Sequence, residues 1–307
     1  MKRPIIFLWE DAEKHMPQKR LKSQSAMEYL MTYGWAILII AVVLGALFFL
    51  GVFNPNNFAP KAKPGSCQVL RPYGPGTSAY VTLQGTCINE MPKFVAQFNG
   101  ASAYIASSVV NLPVGDIVSI TAWVKPGTYI NCNSMFCGII AYGARACSGN
   151  SIVLSIQPDY LPSMATWCND YIPTSGPSIV PNQWNFVAVV LNVSTATLYV
   201  GSQHESNVLA LRPDIVSENL CIGCTDYPGR YFNGSIADIQ IYNASLSQPE
   251  VTALYRAGIG GDPIDLQNLV GWWPLNGNAN DYSGNQNSGT NSNVIYTTGW
   301  TSSYSAP

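Results

Sequence analysis

Residues 232–258 read FNGSIADIQIYNASLSQPEVTALYRAG and place one strand directly before one short helix. The first half alternates apolar with polar side chains and is rich in β-branched residues, as in a half-buried strand. In the second half Ser247 is a candidate N-cap, and Glu250 three residues later completes a capping box. Gly258 follows as a C-terminal stop. The stretch therefore predicts a strand over about 234–243 and a helix that ends near Gly258.

Upstream segments repeat the strand pattern, with Gly, Pro, Asn and Ser between them as turn residues. The segments are SITAWVKP (119–126), GIIAYG (138–143), SIVLSIQ (151–157), QWNFVAVVLN (183–192) and ATLYVGS (196–202), with earlier strands at Tyr80–Leu83 and Phe94–Phe98. Many short alternating strands at such spacing are typical of an all-β sandwich.

The composition excludes one class of partner and indicates a compartment. The formal net charge of −2 argues against a nucleic-acid partner held by phosphate contacts. Charged residues make up only 10% of the chain, where about 25% is usual. Ser, Thr, Asn, Tyr and Gly take their place, as on β-rich extracellular surfaces.

Several of these segments resemble the laminin G-like, concanavalin A-like jelly-roll family. FNGASAYI (98–105), SITAWVKP, WNFVAVVLN and the stretch at 232–258 follow that family's usual order. LVGWWPLNGNANDYSGNQNSGT (269–290) resembles the strand and loop with which such domains begin, but here it follows the closing strand. The resemblance implies a lectin-like domain over 94–297, circularly permuted so that 269–297 supplies the usual first strand, and a tail over 298–307. A truncated second domain, or a strand donated to the next subunit, is the alternative.

Catalytic motifs are missing from the chain, so we expect no enzyme activity. The glucanases of this fold carry a Glu-x-Asp-x-x-Glu strand, and retention requires two carboxylates about 5–5.5 Å apart. Here the acids are scattered, and no Gly-x-Ser-x-Gly elbow or His-Glu-x-x-His motif occurs. His204, the one histidine after residue 23, is predicted to be a surface residue. A surface glycoside hydrolase is kept as the less favoured alternative.

Calcium is a further implication of the lectin-like resemblance. Related domains hold a structural Ca²⁺ near the junction of their first and last strands. Six to eight oxygen ligands are needed, and the candidates are Asp238, Asn278, Asp281 and Asn285. The alternative is that the Asn, Gly and Asp density at 278–285 simply marks a turn.

A second signal is KRLKSQSAMEYLMTYGWAILIIAVVLGALFFLGVF at 19–53, a basic head before a long apolar run. The run from Tyr33 to Phe53 has the roughly 20 residues that cross a bilayer. The preceding positive charge is the signal for a cytoplasmic N-terminus. A secretory signal has a shorter apolar region, of about 7–15 residues, and a small-residue cleavage site. We therefore expect the helix to stay attached to the product.

The same segment resembles archaeal type IV pilins with a class III signal peptide. In that family the mature chain begins Gln-x-Ser-x-Glu and runs into the hydrophobic helix; QSAMEYLM supplies Gln24 and Glu28. Ala26 and Thr32 depart from the usual Ser and Leu. The resemblance implies a leader over 1–23 cut between Ser23 and Gln24, with Met1 or Met16 as its start.

The pilin resemblance also implies partners and a location. A helix over 24–53 would assemble copies of the chain, after action by a prepilin peptidase and the membrane assembly machinery. Glu28 would pair with the new α-amino group of a neighbouring subunit. The chain would reside in the membrane and then in a cell-surface filament, with 54–66 as linker and surface glycans as ligands. An uncleaved membrane-anchored lectin or adhesin is the alternative.

Eight cysteines, all beyond residue 66, indicate an oxidising compartment and disulfides. Zinc bound by CNSMFC and CIGC is the alternative. Cys67 and Cys87 bracket a β connector over 67–93 and are the pair expected first. The full set is Cys67, Cys87, Cys132, Cys137, Cys147, Cys168, Cys221 and Cys224.

Asn-x-Ser sequons and aromatic residues complete the candidates for the surface. The sequons begin at Asn192, Asn233 and Asn243, and the compartment permits their glycosylation. Glycan stacking could use Trp272, Trp273, Trp300, Tyr227 or Tyr231, most of which we expect in the core. The sequence singles out none of them as a ligand platform.

Overall fold

The computed structural model describes residues 19–49, 67–87, 91–107, 111–128, 135–147, 149–225 and 227–307. The chain divides into two compact units, residues 1–61 and residues 62–307. Residues 1–18 of the predicted leader and the linker at 54–66 lie outside the described residues.

The first unit contains one described helix, α1, which runs from Lys19 to Phe49. The helix begins before the expected cleavage point, and the backbone of Ser23, Gln24 and Glu28 is helical. Among the described residues, no helix combines the length and the apolar character needed to cross a membrane.

The second unit is built from two large antiparallel sheets and one small sheet. Along the chain the strands are β1 (Cys67–Leu70), β2 (Thr82–Gly85), β3 (Val95–Asn99), β4 (Tyr104–Ser107), β5 (Ile117–Pro126), β6 (Cys137–Gly143), β7 (Ser151–Ile156), β8 (Pro162–Ala165), β9 (Asn185–Asn192), β10 (Thr195–Val200), β11 (Gln203–Val208), β12 (Leu220–Ile222), β13 (Asn233–Tyr242), β14 (Leu269–Trp273), β15 (Thr290–Ser292) and β16 (Ile295–Thr297). The eight-stranded sheet has the order β11-β10-β9-β5-β13-β3-β16, and β14 also pairs with β13. The six-stranded sheet has the order β15-β4-β12-β6-β7-β8, whereas β1 and β2 pair with each other. An all-β sandwich, as the alternating segments predict, is confirmed.

The 269–297 segment closes both large sheets within the same chain. Strand β14 pairs antiparallel with the second half of β13, and β3 pairs with its first half. Strand β15 then joins β4 in the six-stranded sheet, and β16 joins β3 in the eight-stranded sheet. The segment therefore pairs within its own chain, and its interpretation as a permuted first strand stays a prediction.

Helix α2 (Gln248–Ala257) follows β13 and carries the expected caps. The backbone N–H of Ser247 donates to the Glu250 carboxylate at 2.7 Å. Gly258 ends the helix with φ at +77°, a conformation that glycine adopts without a steric cost. Val251 and Leu254 are the buried residues of α2.

The core has two layers, one on each face of the eight-stranded sheet. Between the large sheets pack apolar side chains such as Ile120, Leu154 and Trp273. The other layer packs Trp123, Tyr242, Trp272 and Trp300 with the buried side chains of α2. The neighbouring Trp272 and Trp273 therefore serve opposite faces, as a strand's alternation requires.

Disulfides replace the zinc alternative among the described cysteines. Cys67 pairs with Cys87, as expected, with a Cα–Cα distance of 4.7 Å. Cys147 pairs with Cys168, and Cys221 with Cys224. Cys137 is also disulfide-bonded, and Cys132 lies outside the described residues. A four-thiolate zinc site that uses CIGC is therefore excluded, because a disulfide sulfur is not a thiolate.

Candidate functional site

The outer face of the six-stranded sheet is lined by small side chains. In β7, Ile152, Leu154 and Ile156 point into the core, so the alternating Ser151 and Val153 point outward. The register pairs Val153 with Ala165 of β8 and with Ala141 of β6. Small side chains leave room above the sheet. Ser151, Val153 and Ala165 form the floor of a cavity of about 250 Å³, which we call the outer-face pocket.

Trp167 lines this pocket and stacks with Tyr227, which lines the neighbouring depression, and we call the pair the aromatic wall. Their ring centroids lie 6.2 Å apart with an interplanar angle of 26°. The guanidinium carbon of Arg145 lies 4.3 Å from the Trp167 centroid and 4.6 Å from the Tyr227 centroid. A guanidinium over an aromatic face is a stabilising cation–π contact. The contact orders three side chains that come from three different loops.

Arg230 brings a second guanidinium into the same cluster. Its central carbon lies 4.4 Å from the Tyr227 centroid and 5.3 Å from the Phe136 centroid. One terminal nitrogen, Nη2, donates to the Met135 sulfur at 2.9 Å. The buried Nε has no hydrogen-bond partner among the described residues. The hydroxyl of Ser151, a residue that is only 1% exposed, also has no partner among them.

The loop that carries Trp167 is fixed in place before any ligand arrives. Met164 and Tyr171 exchange backbone hydrogen bonds of 3.0 and 2.8 Å across its base. The Thr166 hydroxyl donates to the Asn169 carbonyl at 2.8 Å. The Cys147–Cys168 disulfide links this loop to the one that contains Arg145. A site held in this way loses little conformational entropy on binding.

The loop that carries Tyr227 and Arg230 is anchored in a similar way. The Cys221–Cys224 disulfide ties its start to β12. The backbone N–H of Tyr227 donates to the Thr225 hydroxyl at 3.0 Å. The two loops that form the wall are therefore each held by a disulfide, one to the loop that contains Arg145 and the other to β12.

Asp170 is the carboxylate among the described residues that line the outer-face pocket. Its Oδ1 accepts the Thr166 N–H at 3.2 Å. Partial burial raises the pKa of Asp170, while the Thr166 hydrogen bond and the charge of Arg230 oppose that rise. The pocket thus offers aromatic faces, hydroxyl and guanidinium donors, and one carboxylate acceptor.

The four residues expected to bind calcium lie around Trp272, but their oxygens are already used. Asp281 accepts N–H groups of Trp272, Ser283 and Asn287 at 3.0, 2.8 and 2.8 Å. Asp281 also accepts the Ser283 hydroxyl at 2.9 Å. Ca²⁺ requires six to eight oxygens whose lone pairs face the ion, and here those lone pairs face protein donors.

The remaining three candidates are engaged in the same way. Asn285 accepts the Gly76 N–H at 2.8 Å, and Asn278 accepts the Asn280 N–H at 3.0 Å. Asp238 accepts the Trp272 indole N–H at 2.8 Å. These residues do not fit a calcium site as they stand, and calcium binding stays an untested prediction.

Asp238 is a buried carboxylate with a strained backbone. Its φ is +45°, at a point where β13 slips register against β5. Burial raises its pKa from 3.8 to about 7, although hydrogen bonds from Gln240 and Trp272 lower it. The nearby Asp262 charge adds to the rise. Asp238 also lines a cavity of about 390 Å³ beside the Cys67–Cys87 disulfide.

The raised pKa predicts a pH-dependent stability. Between pH 4 and 7 the folded state binds more protons at Asp238 than the unfolded state, so the free energy of unfolding falls as pH rises. Three pKa units correspond to at most about 4 kcal/mol. Urea unfolding at several pH values should show Asp238→Ala with a smaller loss across this window than wild type. The exposed control Asp214→Ala should keep the wild-type slope; equal slopes in wild type and Asp238→Ala would contradict the assignment.

The other sequence candidates occupy varied positions. Asn192 and Asn243 are exposed, whereas Asn233 is half-buried at the start of β13. Trp272, Trp273 and Trp300 are core residues, as expected of most aromatics, and His204 is exposed. Tyr227 is 38% exposed in the aromatic wall, and Tyr231 lines a neighbouring depression with Tyr104.

Sequence reasoning missed Trp167, Arg145, Arg230 and Ser151. Each comes from a different segment, and none belongs to a motif. One signal was present in SIVLSI, where Ser151, Val153 and Ser155 alternate with larger apolar residues. A strand buried along its whole length, with only small side chains on one face, indicates that something else covers that face.

Comparison with known proteins agrees with this architecture. A sequence profile described as the concanavalin A-like lectin/glucanases superfamily matches residues 99–252. Curated protein sequences give no match. A protein from Bacteroides ovatus ATCC 8483 described as carbohydrate-binding has a similar structure, with a TM-score of 0.51 and 13% identity. The match covers 71% of this chain and 63% of that one, so this chain spans less than two thirds of its length.

A second similar structure is the heptameric SAP-like pentraxin from Limulus polyphemus. It has a TM-score of 0.46 and 13% identity, over 68% of this chain and 96% of the pentraxin. At 13% identity, the likeness to the Bacteroides ovatus protein bears on the fold alone. The sequence profile covers half of the chain, and on that basis the protein belongs to the concanavalin A-like lectin/glucanases superfamily.

Proposed function

We propose that the second unit binds carbohydrate in the outer-face pocket. The observation that carries the proposal is the combination of the Trp167–Tyr227 wall with two buried donors, Arg230 Nε and Ser151 Oγ, that have no partner within the described part of the chain. Buried polar groups normally have hydrogen-bond partners. A sugar ring has an apolar C–H face that can stack on the wall, and it carries oxygen atoms that can accept hydrogen bonds from the two donors.

Each polar or aromatic residue of the pocket has its own expected contact with the sugar. Trp167 would stack against the C–H face of a sugar ring, since aromatic side chains bury large areas with few rotatable bonds. Ser151 and Arg230 would hydrogen-bond ring substituents, and the Asp170 carboxylate would accept a sugar hydroxyl. The disulfide-anchored loops keep these groups in position.

Binding without cleavage is the activity that this set of residues supports. Glycoside hydrolysis generally uses two carboxylates on opposite sides of the scissile bond. Among the described residues that line the pocket, Asp170 is the one carboxylate. A lectin-like role therefore fits the pocket better than a glycoside hydrolase does.

The test is a binding and hydrolysis screen with the full-length protein. Some of the immobilised oligosaccharides and polysaccharides should retain the protein. Incubation of the protein with those ligands should release no new reducing ends. If no ligand in the screen retains the protein, the proposal of carbohydrate binding is wrong. New reducing ends would favour the glycoside hydrolase instead.

We further propose that helix α1 assembles copies of the chain into a surface filament that displays this domain. All side chains from Tyr33 to Ala46 are exposed, including Trp35 at 66% and Ile37 at 65%. An exposed apolar surface of this kind marks an interaction site. Residues 24–53 resemble the assembly helix of archaeal type IV pilins, which favours further copies of the same helix as the covering partner.

Processing of the N-terminus provides a separate prediction. Mass spectrometry of protein from sheared surface material should find a mature chain that starts at Gln24. Glu28→Gln should be processed normally but yield fewer filaments, because it removes the charge expected to pair with a neighbour's α-amino group. Substitution of Gln24 should instead block processing. A chain that keeps Lys19–Ser23 and is found only in membranes would favour the anchored lectin or adhesin.

A further inference from the structure

The charges around the outer-face pocket suggest which class of carbohydrate it takes, provided that the proposed function holds. Arg145 and Arg230 both place their guanidinium groups within 4.6 Å of the Tyr227 ring centroid. The ion pair found among the described residues joins Arg212 to Asp116 and involves neither of them. Among the described residues that line the pocket, Asp170 is the one carboxylate, and its charge interacts with that of Arg230.

The hydrogen bonding of Arg230 points in the same direction. Its Nη2 donates to the Met135 sulfur, and a thioether is a weak acceptor. Its buried Nε has no acceptor among the described residues. An unsatisfied buried donor carries a desolvation penalty that is larger for charged groups. An anionic acceptor at this position would relieve that penalty.

We propose that the pocket recognises an acidic carbohydrate, a sugar unit that carries a carboxylate. The sugar ring stacks on Trp167, and its carboxylate meets the guanidinium of Arg230 with Arg145 beside it. Guanidinium groups match carboxylates in a planar, two-pronged geometry. The Ser151 hydroxyl donates to a ring substituent at the floor.

Matched ligands that differ only in the acid group give the sharpest test. Titration calorimetry with the full-length chain would compare oligogalacturonides, glucuronate-terminated oligosaccharides and sialyllactose, each with its carboxyl-reduced form. At least one acid should bind about tenfold more tightly than its reduced form, the size expected for one charge-assisted hydrogen-bond pair. That preference should weaken as salt is raised.

Variants assign the preference to the arginine. Arg230→Gln should bring acid and reduced ligand within about twofold of each other, and Arg230→Lys should keep part of the preference because it keeps the charge. Arg256→Gln, a change at an exposed arginine of α2, should behave as wild type. A preference that survives in Arg230→Gln would overturn the assignment.

The remaining outcomes separate the two proposals. If every acid and its reduced form bind wild type equally well, the pocket binds carbohydrate but the acidic ligand class is wrong. If wild type binds neither form of any ligand here and none in the wider panel, carbohydrate binding itself is wrong, and the inference falls with it.

Discussion

Trp167→Ala is expected to weaken carbohydrate binding by about 30-fold or more. An aromatic side chain at the centre of a binding site contributes about 2 kcal/mol or more when it is truncated, which corresponds to that factor. Trp167 packs with Arg145 and stacks with Tyr227, so its loss removes the stacking surface and also loosens the wall. Trp167→Phe keeps a ring and should lose less affinity.

Calorimetry with an oligosaccharide that retained the protein in the screen measures this change in affinity. Tyr73→Ala is a matched control, because Tyr73 is 67% exposed and lies outside the pocket. Thermal unfolding should show that Trp167→Ala stays folded. Residue 167 has a positive φ of 54°, and alanine has the same steric cost there as tryptophan, so the substitution adds no backbone strain. Unchanged affinity in folded Trp167→Ala would exclude the outer-face pocket as the binding site.

Asp281→Ala is expected to cost about 3–5 kcal/mol of folding stability. The substitution leaves the backbone N–H groups of Trp272, Ser283 and Asn287 without their acceptor. Each buried donor left unsatisfied costs about 1–3 kcal/mol, and partial rehydration of this half-buried loop reduces the sum. The loop also anchors β1 of the small sheet, because the Tyr282 carbonyl accepts the Val69 N–H at 2.8 Å.

Urea unfolding at neutral pH measures the loss. Asp281→Asn keeps one acceptor oxygen and should fall between Ala and wild type. Asp214→Ala, a change at an exposed carboxylate, should stay within about 0.5 kcal/mol of wild type, as is usual for surface changes. A loss below about 1 kcal/mol in Asp281→Ala would show that the loop does not depend on this carboxylate.

The periodic elements of this fold could be predicted from the sequence because their signals are local. Strands β5, β6, β7, β9, β10 and β13 follow the alternating segments closely, and α2 has the capping box read from Ser247 and Glu250. The short strands β8, β12, β15 and β16 were missed. They have three or four residues each, too few for a periodic pattern, and tertiary pairing determines them.

The pocket could not be predicted, because its chemistry depends on distant segments. Arg145, Trp167 and Arg230 come together through the register of the six-stranded sheet and the loops that it positions. The calcium candidates are the opposite case, because they lie close together in the sequence, and calcium binding there stays a prediction. Asp281 and Asn285 are close in sequence and rich in oxygen, and in the structure Asp281 accepts backbone N–H groups of its own loop while Asn285 accepts the N–H of Gly76. Residue type alone does not distinguish a ligand from an acceptor within a turn.

We propose that carbohydrate binds on the outer face of the six-stranded sheet. A crystal structure of the protein with an oligosaccharide retained in the screen tests this most directly. We expect a sugar ring stacked on Trp167, with oxygens in hydrogen-bond contact with Ser151 Oγ and Arg230 Nε. A sugar bound elsewhere, for example in the cavity beside Asp238, with the outer-face pocket free of it, would rule out this pocket as the binding site.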